Sequence, residues 1–220
     1  MVGNNLNRSA SGALVDRGSG RISRPVFAVG ALWLAAIVAS TAAMLVYANS
    51  PGAAGSPPGT WPAGSSVSLD SARPTLVLFA HPKCPCTRAS VGELANLMAH
   101  CQRRVNAHVF FLKPPGVSAD WARTDLWTSA AAIPGVTVHQ DDGGKEARLF
   151  RIETSGDLVL YDADGRLLFH GGITSARGHS GDNLGRSAIQ ALLWKEPAQT
   201  ASTSSFGCPL FSCPASAASE

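Results

Sequence analysis

Hydrophobic and polar positions are patterned in three ways along this chain, and each predicts a different element. From Val26 to Ala48 the sequence carries no charge, and that run is long enough to cross the hydrocarbon core of a bilayer as a helix. Residues 49–70 are rich in Pro, Gly, Ser and Ala and poor in core formers, the composition of an extended, flexible linker. From about 71 to 196 short apolar runs alternate with segments of helical period, as in a folded domain.

Within that domain Thr75-Leu76-Val77-Leu78-Phe79 is a continuous apolar run typical of a central strand, and an amphipathic helix from about Cys86 to Arg103 follows it. Val105 to Leu112 predicts a second strand, and Ser118-Ala119-Asp120 can cap a helix running to about Ala131. Val136 to His139 then reads as a short strand and Gly144 to Phe150 as a short helix. Leu158-Val159-Leu160-Tyr161 and Leu167-Leu168-Phe169-His170 flank the turn Asp162-Ala163-Asp164-Gly165 as a hairpin. A last helix is expected from about Asp182 to Lys195. The order β-α-β, α, β-α, β-β-α predicts an α/β fold with a mixed central sheet flanked by helices. Residues 197–220 read as a second flexible stretch that carries Cys208 and Cys213.

Charge orients the chain. Arg8, Arg17, Arg21 and Arg24 against a single Asp16 precede the apolar span, and no charge follows it until Asp70. The positive-inside rule therefore expects residues 1–25 in the cytoplasm, a single-pass transmembrane anchor at 26–48 in the cell inner membrane, and a periplasmic domain. Val46-Tyr47-Ala48 would also suit a signal peptidase, but the apolar run is long for a cleaved signal. The net charge of +3 is partly this flank and does not suggest nucleic-acid binding. Asp162-Ala163-Asp164-Gly165 lacks the spacing and terminal Glu of a calcium loop.

The chemistry concentrates in His81-Pro82-Lys83-Cys84-Pro85-Cys86, between the first strand and its helix. A helix start offers a thiolate unpaired N–H groups and the positive end of the macrodipole, and Lys83 and Arg88 add positive charge. Three uses stay open: thiol redox chemistry, metal binding and a structural disulfide. In the redox reading Cys84 attacks a partner disulfide, Cys86 resolves it, and His81 shuttles a proton. Alternatively Cys208 or Cys213 folds back to resolve Cys84, or the two pair with each other. In the metal reading Cys84 and Cys86 are soft ligands for copper, with His81, His170 or His179 as further donors. A further reading within thiol redox chemistry, peroxidase action, uses Cys84 and Thr87 with Arg88 or Arg177 as helpers. Five cysteines in an exported chain leave at least one unpaired or intermolecular, and Cys101, on the apolar face of its helix, is the expected bystander.

The strand, cysteine motif and helix at 74–103, with HQDDGGKEARLFRIETSGDLVLYDADGRLLFHGGI at 139–173, resemble membrane-tethered thioredoxin-like proteins of the TlpA-like kind. CPCTRAS, YDADGRLLFHGGIT with RGHSGDN behind it, and FGCPLF are similar to the small group labelled RedB. The resemblance implies a thioredoxin-like fold, a thiol-disulfide oxidoreductase, a protein thiol or disulfide as partner, and no cofactor. Three departures stand out, one being that the first strand lacks the buried acid that some thioredoxins use for proton transfer. One residue, Pro85, separates the cysteines where thioredoxins have two, and Thr154-Ser155-Gly156 takes the place of the family's cis-proline. A cis bond before a non-proline residue is unfavourable by about 2.5–4 kcal/mol, so Thr154–Ser155 is expected to be trans.

Overall fold

A computed structural model of the protein describes residues 24–101 and 103–211. The chain divides into two units between Ala43 and Met44. Helix α1 (Arg24–Asn49) has no buried residue and is long and apolar enough to cross a membrane.

The second unit holds one five-stranded sheet in the order β3-β2-β1-β4-β5. Its strands are β1 (Thr75–Ala80), β2 (Asn106–Lys113), β3 (Val136–Asp142), β4 (Asp157–Tyr161) and β5 (Leu167–Gly172). The first three are parallel and β4 and β5 antiparallel to their neighbours. Helix α2 (Thr87–Cys101) makes the first crossover, α3 (Asp125–Ala131) and α4 (Lys145–Leu149) follow, and α5 (Leu184–Trp194) closes the domain. Every residue of β1 is buried, as a strand flanked on both edges and covered on both faces must be.

Side chains alternate across β1, so the two faces carry different cores. Leu76, Leu78 and Ala80 join Leu94 and Leu97 of α2, Leu126 of α3 and Ile189 of α5 on one face. Val77 and Phe79 point the other way, toward Phe110, Phe150 and Tyr161. Only the short α4 lies on that second side, and the aromatic surface needs further cover.

The cover comes from residues expected to be a flexible linker. Trp61 meets Phe150 and Tyr161 edge-on at 5.1 and 5.2 Å, and Val67 and Leu69 join the same cluster. Backbone bonds hold the segment in place: Trp61 N–H to Gly165 O at 2.7 Å, Leu167 N–H to Gly59 O at 2.9 Å, and Ser56 N–H to Arg151 O at 3.1 Å. Residues 50–70 thus lie on the domain, because their few apolar side chains complete its second core. The C-terminal stretch behaves likewise up to Phe211, with Leu210 buried in that cluster and Phe211 packed against it. Cys213 lies outside the described residues.

The hairpin, the mixed sheet and the final helix match the expectations, with Asn183 capping α5 by accepting from Arg186 N–H at 2.8 Å. The helix expected from Ser118 is instead a 3-10 turn (Ala119–Ala122) followed by α3. Thr124, at the break, donates its hydroxyl to Pro82 O at 3.1 Å, and Asp125 pairs with Arg88. The interruption ties this segment to the cysteine turn.

Candidate thiol site

The turn between β1 and α2 is built from successive three-residue hydrogen bonds. Cys84 N–H donates to His81 O at 3.1 Å, Thr87 N–H to Cys84 O at 3.1 Å, and Ala89 N–H to Cys86 O at 3.1 Å. These local carbonyls occupy N–H groups that a bare helix start would leave for a thiolate. The Thr87 N–H at this helix start still helps to lower the Cys84 thiol, and the sulfur finds further donors elsewhere.

Cys84 is 1% exposed. Its sulfur accepts the Cys208 backbone N–H at 3.4 Å, and the Cys208 and Thr87 side chains lie close enough to favour its charge. Burial alone would raise this thiol, but the bonds from Cys208 and Thr87 outweigh it and hold Cys84 below the ordinary cysteine range. The neighbouring thiols go the other way. Burial and then the nearby Cys84 raise Cys86, with Arg177 partly opposing. Burial, followed by Cys84 and Cys86, pushes Cys208 up to about 12.

A hydroxyl chain fixes the Thr87 donor. His81 N–H donates to Ser155 Oγ at 2.7 Å, and Ser155 Oγ lies 2.7 Å from Thr87 Oγ1. Either hydroxyl can donate to the other, and when Ser155 donates, the Thr87 proton is free to turn toward Cys84. Ser155 and Thr87 are both buried, and the described residues contain no cis peptide bond. Ser155 therefore stands at the expected trans position and contributes a hydroxyl there.

The remaining candidates sit further out. Lys83 Nζ lies 4.5 Å over the Trp121 ring. The His81 ring meets Trp121 edge-on at 5.6 Å, its Nδ1 accepts Lys83 N–H at 3.2 Å, and burial followed by the Lys83 charge lowers its pKa. Arg88 is spent on Asp125 at the surface. His179 is exposed in the β5–α5 loop, and among the described residues no group of three or more His, Cys, Asp or Glu side chains is placed to hold a metal ion. Cys101 is fully buried in the α2 core face.

Two features were weakly marked in the sequence. Arg177, raised above only as a peroxidase helper, bonds Gly207 O at 2.5 Å and Ser50 O at 3.1 Å, joining the tail, the start of the linker and the thiols. Cys208 was one of two tail candidates; its signal is the Cys208-Pro209 pair followed by the apolar Leu210-Phe211, which can anchor a segment.

The fold is thioredoxin-like. No protein-family model matches the chain, and no curated protein does. Among solved structures it is similar to an uncharacterized conserved protein of Geobacillus kaustophilus at 17% identity, covering 76% of this chain and 94% of that one with a TM-score of 0.55. A hypothetical protein of Sinorhizobium meliloti 1021 aligns at 20% identity over 73% of this chain and 93% of its own, with a TM-score of 0.52. A secreted Mycobacterium tuberculosis disulfide oxidoreductase, homologous to E. coli DsbE, aligns at 15% identity over 58% of this chain and 84% of its own, with a TM-score of 0.43.

Proposed function

We propose that the protein is a membrane-tethered, exported thiol-disulfide oxidoreductase in which Cys84 is the attacking thiolate. One observation carries the reading. A single sulfur, Cys84, collects donors from Thr87 and Cys208 and is held below the ordinary thiol range, while both neighbouring thiols are held above it. That is the division of labour thiol exchange needs: one thiol favoured as the thiolate and a protonated thiol beside it to finish the reaction. Helix α1 and its basic flank support an anchor with the domain on the periplasmic side. The partner is a protein thiol or disulfide, and the thiols themselves supply the chemistry with no cofactor.

The test is thiol trapping of the full chain, in detergent, across defined redox buffers. A reversible two-electron couple present in wild type and lost in Cys84→Ser supports the reading. No such couple, together with tight stoichiometric Cu(I) binding that requires Cys84 and Cys86, replaces it with a metal-binding one.

A further inference from the structure

We propose that Cys208 is the resolving thiol of Cys84, presented to it by the C-terminal segment as an added strand; this rests on the thiol-exchange reading above. The segment is fixed on the backbone at 153–155. Ser155 N–H donates to Cys208 O at 2.8 Å and Leu210 N–H to Glu153 O at 2.8 Å, with Thr154 and Pro209 paired antiparallel between them. Such pairing sets the register, and a slip of one residue would turn Cys208 to the opposite face. The Cys208 peptide is thus clamped, its carbonyl on Ser155 and its N–H on the Cys84 sulfur.

The seat is built on both sides. A Cβ at Gly207 would lie 1.8 Å from Ser155 O, so a residue without a side chain is required at that approach. Upstream, Thr203 N–H bonds His170 O at 3.2 Å and Gly52 N–H bonds Ser205 O at 2.8 Å. Downstream, Leu210 is buried and the Arg148 guanidinium lies 4.0 Å over the Phe211 ring.

Cys86 is the competitor, and ring geometry separates the two. A Cys84–Cys86 bridge would close a ring through Pro85 alone, in a turn held by the Thr87-to-Cys84 and Ala89-to-Cys86 hydrogen bonds, against the separation and torsion a disulfide prefers. Cys208 comes from a separate segment and meets no such restraint. Cys84 lies beneath that segment, so a partner reaches it when the segment lifts from Glu153–Ser155.

The cycle balances in thiols. The Cys84 thiolate attacks a partner disulfide, forming a Cys84–partner mixed disulfide and expelling one partner thiolate, which takes up a proton. Cys208 then gives up its proton and attacks the Cys84 sulfur, forming Cys84–Cys208 and releasing the second partner thiolate, which is protonated in turn. Two protein thiols are oxidised and one partner disulfide is reduced; the reverse sequence oxidises a partner dithiol.

The test exposes the full chain in detergent to glutathione disulfide, quenches with acid and maps linked peptides by mass spectrometry. Wild type and a Cys213→Ser background should both give a Cys84–Cys208 linkage. In that background Cys208→Ser should accumulate the Cys84–glutathione adduct by about tenfold or more, because a tethered thiol acts at high effective concentration, whereas Cys86→Ser should retain the Cys84–Cys208 linkage. Gly207→Ala keeps every thiol but blocks the seat, and should also accumulate the adduct. A Cys84–Cys86 linkage in wild type, or a Cys208–Cys213 linkage, overturns the proposal and leaves thiol exchange standing. No Cys84 adduct in a Cys86→Ser/Cys208→Ser double variant overturns both.

Discussion

Replacing Thr87 with Val removes the hydroxyl that helps to hold the Cys84 thiol down and leaves side-chain volume nearly unchanged in a position that is 1% exposed. A hydrogen bond to a charged group is worth about 1.5–3 kcal/mol, so at pH values below the titration of Cys84 the thiolate population should fall by about 10- to 150-fold. Reactivity does not fall as far, because a more basic thiolate is a better nucleophile with a Brønsted slope of about 0.4–0.5. The net loss is about half of that on a logarithmic scale, or about 3- to 12-fold. The assay is the iodoacetamide rate at Cys84, followed by peptide mass spectrometry between neutral and strongly alkaline pH. Thr87→Val should be slower than wild type at neutral pH and faster on the alkaline plateau, with the curves crossing between, and Thr87→Ser should restore the wild-type profile. A variant that is slower by one factor at every pH, including the plateau, would refute the reasoning, because it would show a change in access to Cys84 and not in its charge.

Two further outcomes are expected. Asp157 is buried with Oδ1 unpartnered, and burial, partly opposed by a bond with Ser205, pushes its carboxyl up from 3.8 to about 6. Its folded pKa lies above its unfolded one, so its contribution is fully present below about pH 4 and is lost as pH rises through about 6; Asp157→Asn should add up to about 3 kcal/mol in urea unfolding at pH 7.5 and far less at pH 4. A stability gain that is equal at both pH values would contradict this. Trp61→Ala should destabilise the domain by about 2–3 kcal/mol in the same assay, since a large aromatic packed on Phe150 and Tyr161 is lost, whereas a residue in a free linker would change nothing.

The domain's elements were legible because their signals are local. The apolar run of β1 and the Asp-x-Asp-Gly turn between β4 and β5 each specify one element within a few residues, and a mixed sheet follows from connecting them. The cover of the second face was not legible, since it depends on distant residues: Trp61 and Val67 on one side, Leu210 and Phe211 on the other, each isolated in a segment whose Pro, Gly and Ser content otherwise reads as flexible. What keeps those segments in place is the aromatic surface of Phe79, Phe110, Phe150 and Tyr161, which becomes a surface only once the sheet has formed. The same non-locality governs the site. Cys84, Cys86 and Thr87 stand out as a motif, but the donors on Cys84 from residue 208 and the hydroxyl of Ser155 reach it across the fold.

Three thiols gathered in one site also set an order of events. Like charges at close range cannot all form, and the donors decide that Cys84 ionises first while burial and then its charge keep Cys86 and Cys208 protonated. Capture of a partner sulfur removes that charge, because the Cys84 thiolate becomes half of a neutral mixed disulfide. The repulsion and the hydrogen bond that raise Cys208 are then gone, and Arg177, which acts to lower it, remains. Cys208 becomes easier to deprotonate at the moment a second nucleophile is needed. The same release reaches Cys86, so charge alone does not choose between the two thiols. The choice falls to geometry, and there the strand pairing at Ser155 favours Cys208 over a ring closed through Pro85.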